Sequence, residues 1–309
     1  MKISYKEENI LSRMELPGSV HQLAVFRILL GLHILYSSNT KLFQLVQQVP
    51  DIANTKNIFP GWINQWVDII AVPYLQPITQ VLSIFLVLGL FTRYILPFLF
   101  ISFIFLFSFY YSRHNAPHPW LHIWFPLLLL NFTKCSDALS LDKLFSMVKP
   151  LLNPSASEYR WPMEAIAAWL AYIYVAAGVA KLLPVYKAWK WLDGGTSQEL
   201  FYNRFLNSIY FYIFKRPLFD YTQYHWLFTG LSIGSLIIEL SCIMIFFTHR
   251  FHRSIIIMLF IMHFFLYFIG VLGFMQLGLL LCISLLSPAL FTRLFKVQQD
   301  QNSQHVQVG

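Results

Sequence analysis

Long apolar runs separated by short polar breaks recur down almost the whole chain. A helix needs about 20 mostly apolar residues to cross the hydrocarbon core of a bilayer. Read against that length, the pattern predicts an all-α fold, a polytopic integral membrane helix bundle of about eight transmembrane helices. They run His21–Ser38, Pro77–Thr92, Tyr94–Tyr111, Trp120–Thr133, Met163–Leu183, Trp226–Phe247, Ser254–Gly270 and Leu272–Leu290. Several fall short of full spanning length, so flanking aromatics extend them or the bilayer thins locally.

The polar breaks divide the chain into three parts. Residues 1–19 are polar and mixed in charge (Lys2, Lys6, Glu7, Glu8, Arg13, Glu15) and lack the apolar stretch of a cleavable signal peptide. They read as a cytoplasmic N-terminal segment. Residues 20–292 form the transmembrane domain, and the Gln-rich stretch 293–309 reads as a disordered tail. Two connecting segments are rich in aromatics, 55–76 with Trp62 and Trp66, and 196–220 with Tyr202, Phe205, Tyr210 and Tyr212. Such residues favour the headgroup level, so both segments are expected to lie at the membrane interface.

Composition narrows the function classes. Charged residues reach only 12% of the chain, about half the share usual in a soluble domain, too few to cover a globule in water. A net charge of +8 fits loops facing anionic headgroups. No basic stripe with stacking aromatics appears in a polar segment, so nucleic acid is not an expected partner. Membrane lipids are. Cys135, Cys242 and Cys282 show no metal or disulfide spacing.

Lysine and arginine set the expected orientation. With the N-terminus in the cytoplasm, Arg93, the Lys134–Arg160 stretch, the His249–Arg253 turn, Arg293 and Lys296 share the cytoplasmic side, and both termini lie there. The segment from Pro184 to His225 carries Lys187, Lys190, Arg204, Lys215 and Arg216 and opposes this. Its length and aromatics mark a folded segment, and long segments weigh less in the rule.

Ionisable residues inside spans are costly and commonly face a partner or a cavity. Here they are Arg27, His33, Lys181, Glu239 and His263, with His114, His118 and His122 near turns. Lys181 closes the run Ala171–Ala180 at the outer end of the fifth span. One reading is a lysine snorkelling to the interface; the other is a desolvated amine serving as general base. Gly178 and its small neighbours Ala176, Ala177 and Ala180 allow close helix packing there. His118 stands at the outer end of the fourth span, and His263 lies about 10 Å below the outer end of the seventh at 1.5 Å per residue. Three polar residues at overlapping depths suggest one pocket, although a lone membrane histidine also serves as an interhelical hydrogen-bonder. Glu239, deeper, is read as structural: a protonated acid bonded between helices, or a partner for Arg27. Glu164 suits the first turn of its helix.

Histidine spacing offers one further possibility. His114 and His118 have HxxxH spacing and His249 and His252 have HxxH spacing, the type of cluster that binds iron. Pro117 and Pro119 break the helix that would align the first pair, and the orientation puts the two clusters on opposite faces. No metal is expected.

At this point the segments resemble a known family. Ile173–Leu182 (IYVAAGVAKL) followed by Trp191–Gly194 (WLDG) resembles the signature of the HTTM domain, the transmembrane part of vitamin K-dependent gamma-carboxylase and its bacterial relatives. Phe26-Arg27 with Gly31, Leu88–Arg93, His118 with Trp120, Leu139–Asp142, Leu236–Ser241, and His263 followed by Gly273-Phe274 agree in order. The resemblance covers roughly residues 20 to 292. It implies reduced vitamin K or another quinol as cofactor, with Lys181 as the base that deprotonates it and oxygen as co-reactant. His118 and His263 match functional histidines of the family, and His114 and Trp120 would flank the quinol. The family has a lysine pair where this sequence has Ala180-Lys181. Its carboxylases continue into a large lumenal domain, whereas this sequence ends at Gly309. The expectation is therefore oxygen-dependent, epoxidase-type chemistry on a quinone-type small molecule, with a partner protein in place of that domain. The location implied is the cell (inner) membrane if the source is bacterial. The alternative is a non-enzymatic membrane protein that binds a lipid or a partner. Transport is weaker, since no inverted repeat stands out.

Overall fold

A computed structural model of the chain describes residues 9–38, 59–114, 121–145, 157–183, 191–205, 209–215, 223–268 and 275–295. In chain order the helices are α1 (Ile10–Met14), α2 (Val20–Ser38), α3 (Gly61–Ile70), α4 (Gln76–Leu88), α5 (Thr92–His114), α6 (Leu121–Leu130), α7 (Leu141–Leu144), α8 (Trp161–Leu182), α9 (Gly195–Phe205), α10 (Ile209–Phe214), α11 (His225–Ser241), α12 (Met244–Phe247), α13 (His252–Phe268) and α14 (Met275–Leu285). A last helix, α15, covers Pro288–Phe295. No strand occurs among the described residues.

Four helical stretches are long and apolar enough to cross a membrane: Val20–Ser38, Thr92–Tyr110, Ser157–Leu182 and His225–Phe247. The chain is thus an all-α integral membrane protein. The other expected spans come out shorter. Pro73–Leu88, Leu121–Leu130 and His252–Leu266 are apolar but below full length, and Gly278–Leu285 is followed after a short break by Pro288–Phe295. The second and third predicted spans meet at a real break, because Gly89 takes a left-handed φ of +64° and ends α4.

The chain divides into two compact units. One contains Met14–Ile166 with Ser287–Gly309. Its centre is α2 packed on α4, where Gly31 lets the helices approach: a Cβ there would sit 2.8 Å from Val87 Cγ2. The last carbonyl of α2, on Ser38, accepts from Gln76 Nε2 (2.7 Å) and Gln80 Nε2 (3.1 Å), which supplies the partners a helix end lacks. Upstream of α4, α3 and the π-helical turn Ala71–Leu75 cover most of the segment expected at the interface. Trp62, Trp66 and Ile69 are exposed on one helical face and Val67 and Ala71 are buried, an arrangement suited to lying along a headgroup layer.

At one end of this unit three short segments lock together. Arg27, fully buried, donates from Nη1 to the carbonyl of Cys135 (2.9 Å) and from Nη2 to that of Leu139 (2.6 Å). Asp142 accepts from the amides of Phe91 (2.6 Å) and Thr92 (2.8 Å), capping α5 with a carboxylate where the helix dipole favours one. Its own amide donates to the Gly89 carbonyl (2.9 Å). A Cβ on Gly89 would stand 2.5 Å from Ser140 Cβ and 2.6 Å from Arg27 Nη1, so the turn admits only glycine. Nearby, Tyr159 donates to Asp137 Oδ2 (2.6 Å), and burial pushes the Asp137 carboxyl above the ordinary carboxylate range.

The other unit contains Met1–Arg13 with Ala167–Leu286. It is built from most of α8 and from α9 to α14. On α13 the residues Ile255, Leu259 and His263 are buried, while Ile257, Phe260, Ile261 and Phe264 are exposed. The spacing is helical, and beyond Arg253 and Ser254 in the first turn the outward face is apolar, as expected for a surface against lipid.

Candidate functional site

The second unit holds a chain of buried polar side chains strung along one face of α8. Tyr174, Gly178 and Lys181 stand at i, i+4 and i+7, so all three point the same way. Lys181 forms a direct ion pair with Oε1 of Glu239 on α11. Its Nζ also lies 4.3 Å from the centre of the Trp191 ring, a cation–π contact. The lysine side chain keeps only 21% of its exposure and that of Glu239 only 10%. Lys181 therefore turns inward onto partners and does not reach out to an interface.

Gly178 makes that ion pair possible. A Cβ there would come 3.0 Å from Leu240 Cδ2 and 3.2 Å from Glu239 Cβ, so a larger residue would push α11 away. Two turns below Lys181, about 10 Å along the helix, the Tyr174 hydroxyl is hydrogen-bonded to Nε2 of His263 on α13. The rings meet edge-on with centroids 5.6 Å apart. Gly278 of α14 seats the imidazole from behind, since a Cβ there would be 2.5 Å from His263 Cδ2. Glu239 is close enough to Tyr174 to act on it electrostatically, which links the two pairs.

Not every polar atom in this cluster is satisfied. Oε2 of Glu239, Nδ1 of His263 and Nε1 of Trp191 are buried and have no partner among the described residues. Buried polar atoms are normally bonded, so Glu239 Oε2 and Trp191 Nε1 beside the ion pair, and His263 Nδ1 further along the chain of contacts, mark places where a polar ligand could bond. The donor set is mixed: a carboxylate oxygen that accepts, an indole N–H that donates, and an imidazole nitrogen that can do either.

Of the residues singled out from the sequence, Lys181 and His263 fall in this cluster, joined through Tyr174 and Glu239. His118 and Trp120 lie outside the described residues, as does the side chain of His114, whose backbone ends α5. Of the two roles expected for Glu239, the bond between helices is found, made as an ion pair with Lys181, and the pairing with Arg27 is not, since Arg27 donates from both Nη atoms to backbone carbonyls. The depth argument failed because it set the helices flush. The last turn of α8 meets α11 well past its midpoint, while the start of α11 packs against α9, with Ser197 bonded to Ser232. Tyr174 was missed, although its i−7 spacing from Lys181 placed it on the same face. Trp191 stood in the quoted motif, but no role was assigned to it.

The first unit holds a separate pair. His33 and His122 are buried and their Nε2 atoms are 2.7 Å apart, with Ser37 Oγ 3.4 Å from His33 Nδ1. Among the described residues no group of three or more His, Cys, Asp or Glu side chains is placed to hold a metal ion. His252 begins α13 while His249 precedes the helix, so the HxxH pair does not share a helical face.

No protein-family model matches this chain, and no curated protein or solved structure matches it either.

Proposed function

We propose that the chain is a multi-pass membrane enzyme of the HTTM type that binds a reduced quinone, such as reduced vitamin K or menaquinone, and acts on it with oxygen. The reaction centre is the Lys181–Glu239 pair, with His263 held by Tyr174 orienting the substrate. One observation carries this reading: a lysine at the end of an apolar helix turns inward onto a carboxylate and an indole, beside buried polar atoms that lack partners. Such a site in apolar walls suits a lipid-soluble molecule with a hydroxyl to ionise.

In this reading about eight spans cross the membrane, counting the four long helices, the three shorter apolar ones and the Gly278–Phe295 pair, with both termini cytoplasmic. A second reading, a non-enzymatic binder of a lipid or partner protein, draws on the pairing of Lys181 with Glu239 and Tyr174 with His263, which also suits interhelical bonding.

Oxygen uptake by purified protein in detergent, supplied with reduced menaquinone, separates the two. Turnover in the wild type that disappears in the Lys181→Met/Glu239→Gln double variant, which strands no buried charge, supports the enzyme. Absence of turnover above a protein-free control, with wild type and variant equally stable, leaves the binding role.

A further inference from the structure

We propose that the proton acceptor of this site is Glu239, through its unpartnered Oε2, and that Lys181 remains an ammonium throughout. The assignment rests on the quinol-site reading above and reverses the role that the family resemblance gives to the lysine.

The argument starts from what surrounds Lys181. Its Nζ faces the Glu239 carboxylate on one side and the Trp191 ring on another. Both are favourable partners for a cation. To act as a base the lysine would first have to lose a proton, and the Glu239 carboxylate bonded to it is the group that would take it, so a proton given up by a ligand ends on Glu239 by either route. Gly178 brings Glu239 close to α8, where an added Cβ would stand 3.2 Å from Glu239 Cβ.

Glu239 is placed for the opposite role. Oε1 is occupied by Lys181, while Oε2 is buried without a partner. A carboxylate oxygen in that position accepts a hydrogen bond from a ligand hydroxyl and can then take its proton. The step balances: the O–H bond of the ligand breaks, an O–H bond forms on Glu239, and the electron pair stays on the ligand oxygen as an oxyanion. The ammonium of Lys181 then pairs with that oxyanion in place of the carboxylate. One positive and one negative charge are present before and after, so no net charge is created in the membrane. The buried Trp191 Nε1–H can donate to a second ligand oxygen. The ligand class is a phenol or hydroquinone, whose hydroxyl ionises near pH 10 in water and so needs both the acceptor and the nearby cation.

The test uses 4-methoxy-2-methyl-1-naphthol, a hydroquinone monoether that ionises and cannot pass to the quinone while it keeps its methyl group. Its absorption shifts to the red on forming the naphtholate. Bound to purified full-length protein in detergent at neutral pH, it should show the naphtholate band. E239Q should bind it with Kd within about threefold of wild type and lose the band at least tenfold. K181M should lose the band, and K181R should restore it to within about threefold of wild type, because arginine keeps the cation but cannot serve as a base. A bound naphthol that stays ionised in E239Q, or stays neutral in K181R, overturns the assignment and returns the base role to the lysine. Should E239Q not fold, K181R decides alone. Failure of the wild type to bind the naphthol at all is a different result: it removes the quinol-site reading, and this assignment with it.

Discussion

Two buried clusters, one in each unit, hold their charges in different ways. In the unit built around α2, the buried Arg27 is answered by the backbone carbonyls of Cys135 and Leu139, and Asp142 by the backbone amides of Phe91 and Thr92. Backbone groups cannot titrate and cannot swing away, so these charges are fixed in place. In the unit containing α11 and α13, Lys181 and Tyr174 are answered by the side chains of Glu239 and His263. Those partners can exchange protons and can be redirected. The first arrangement holds a fold together. The second pairs ionisable side chains in an apolar interior, which keeps the net charge there low.

The sharpest way to break this comparison is to remove charges singly and together. Arg27→Leu leaves two buried carbonyls without their donor and is expected to cost about 3–5 kcal/mol, as breaking a buried charged network does. Thermal unfolding in detergent would show it as a large drop or as loss of folded yield. Lys181→Met alone should cost a comparable amount by stranding Glu239, whereas Lys181→Met with Glu239→Gln should be close to neutral, because both charges leave. A double variant as unstable as Arg27→Leu would mean the pair is structural after all.

Next in size is Gly278→Ala. The added methyl must displace the His263 ring, an overpacking change of about 1–3 kcal/mol. It should abolish oxygen uptake while leaving a folded protein, measured by uptake and melting side by side. Tyr174→Phe and Asp142→Asn should each cost about 1 kcal/mol, the first by losing a neutral hydrogen bond and the second by weakening a helix cap. The comparison predicts that only the first lowers turnover.

The smallest effect concerns pH. Burial raises the Asp137 carboxyl, so the folded protein holds this proton more tightly than the unfolded chain. The stability gained is complete below the ordinary carboxylate range and is lost as pH rises through the raised value. Asp137→Asn should flatten that part of the stability profile in a pH series of melting curves.

Much of this was legible in the sequence. The apolar runs decided that the chain is helical and membrane-embedded, because hydrophobic length and the lack of charge act through the solvent and need no tertiary contact. Lys181 and His263 stood out for the same reason: an ionisable residue in an apolar run is costly wherever the helix goes. Partners were another matter. For Glu239 a bond between helices and a pairing with Arg27 were both open, and the choice of Lys181 depends on how α8 meets α11 near Gly178 and how α11 packs on α9, which no local pattern reveals. The meeting of Arg27, Gly89 and Asp142 was likewise visible only as three separate motifs. Which helices exist follows from each segment's own transfer from water. Which charges meet depends on packing between segments far apart in the chain, and that was decided by the tertiary structure alone.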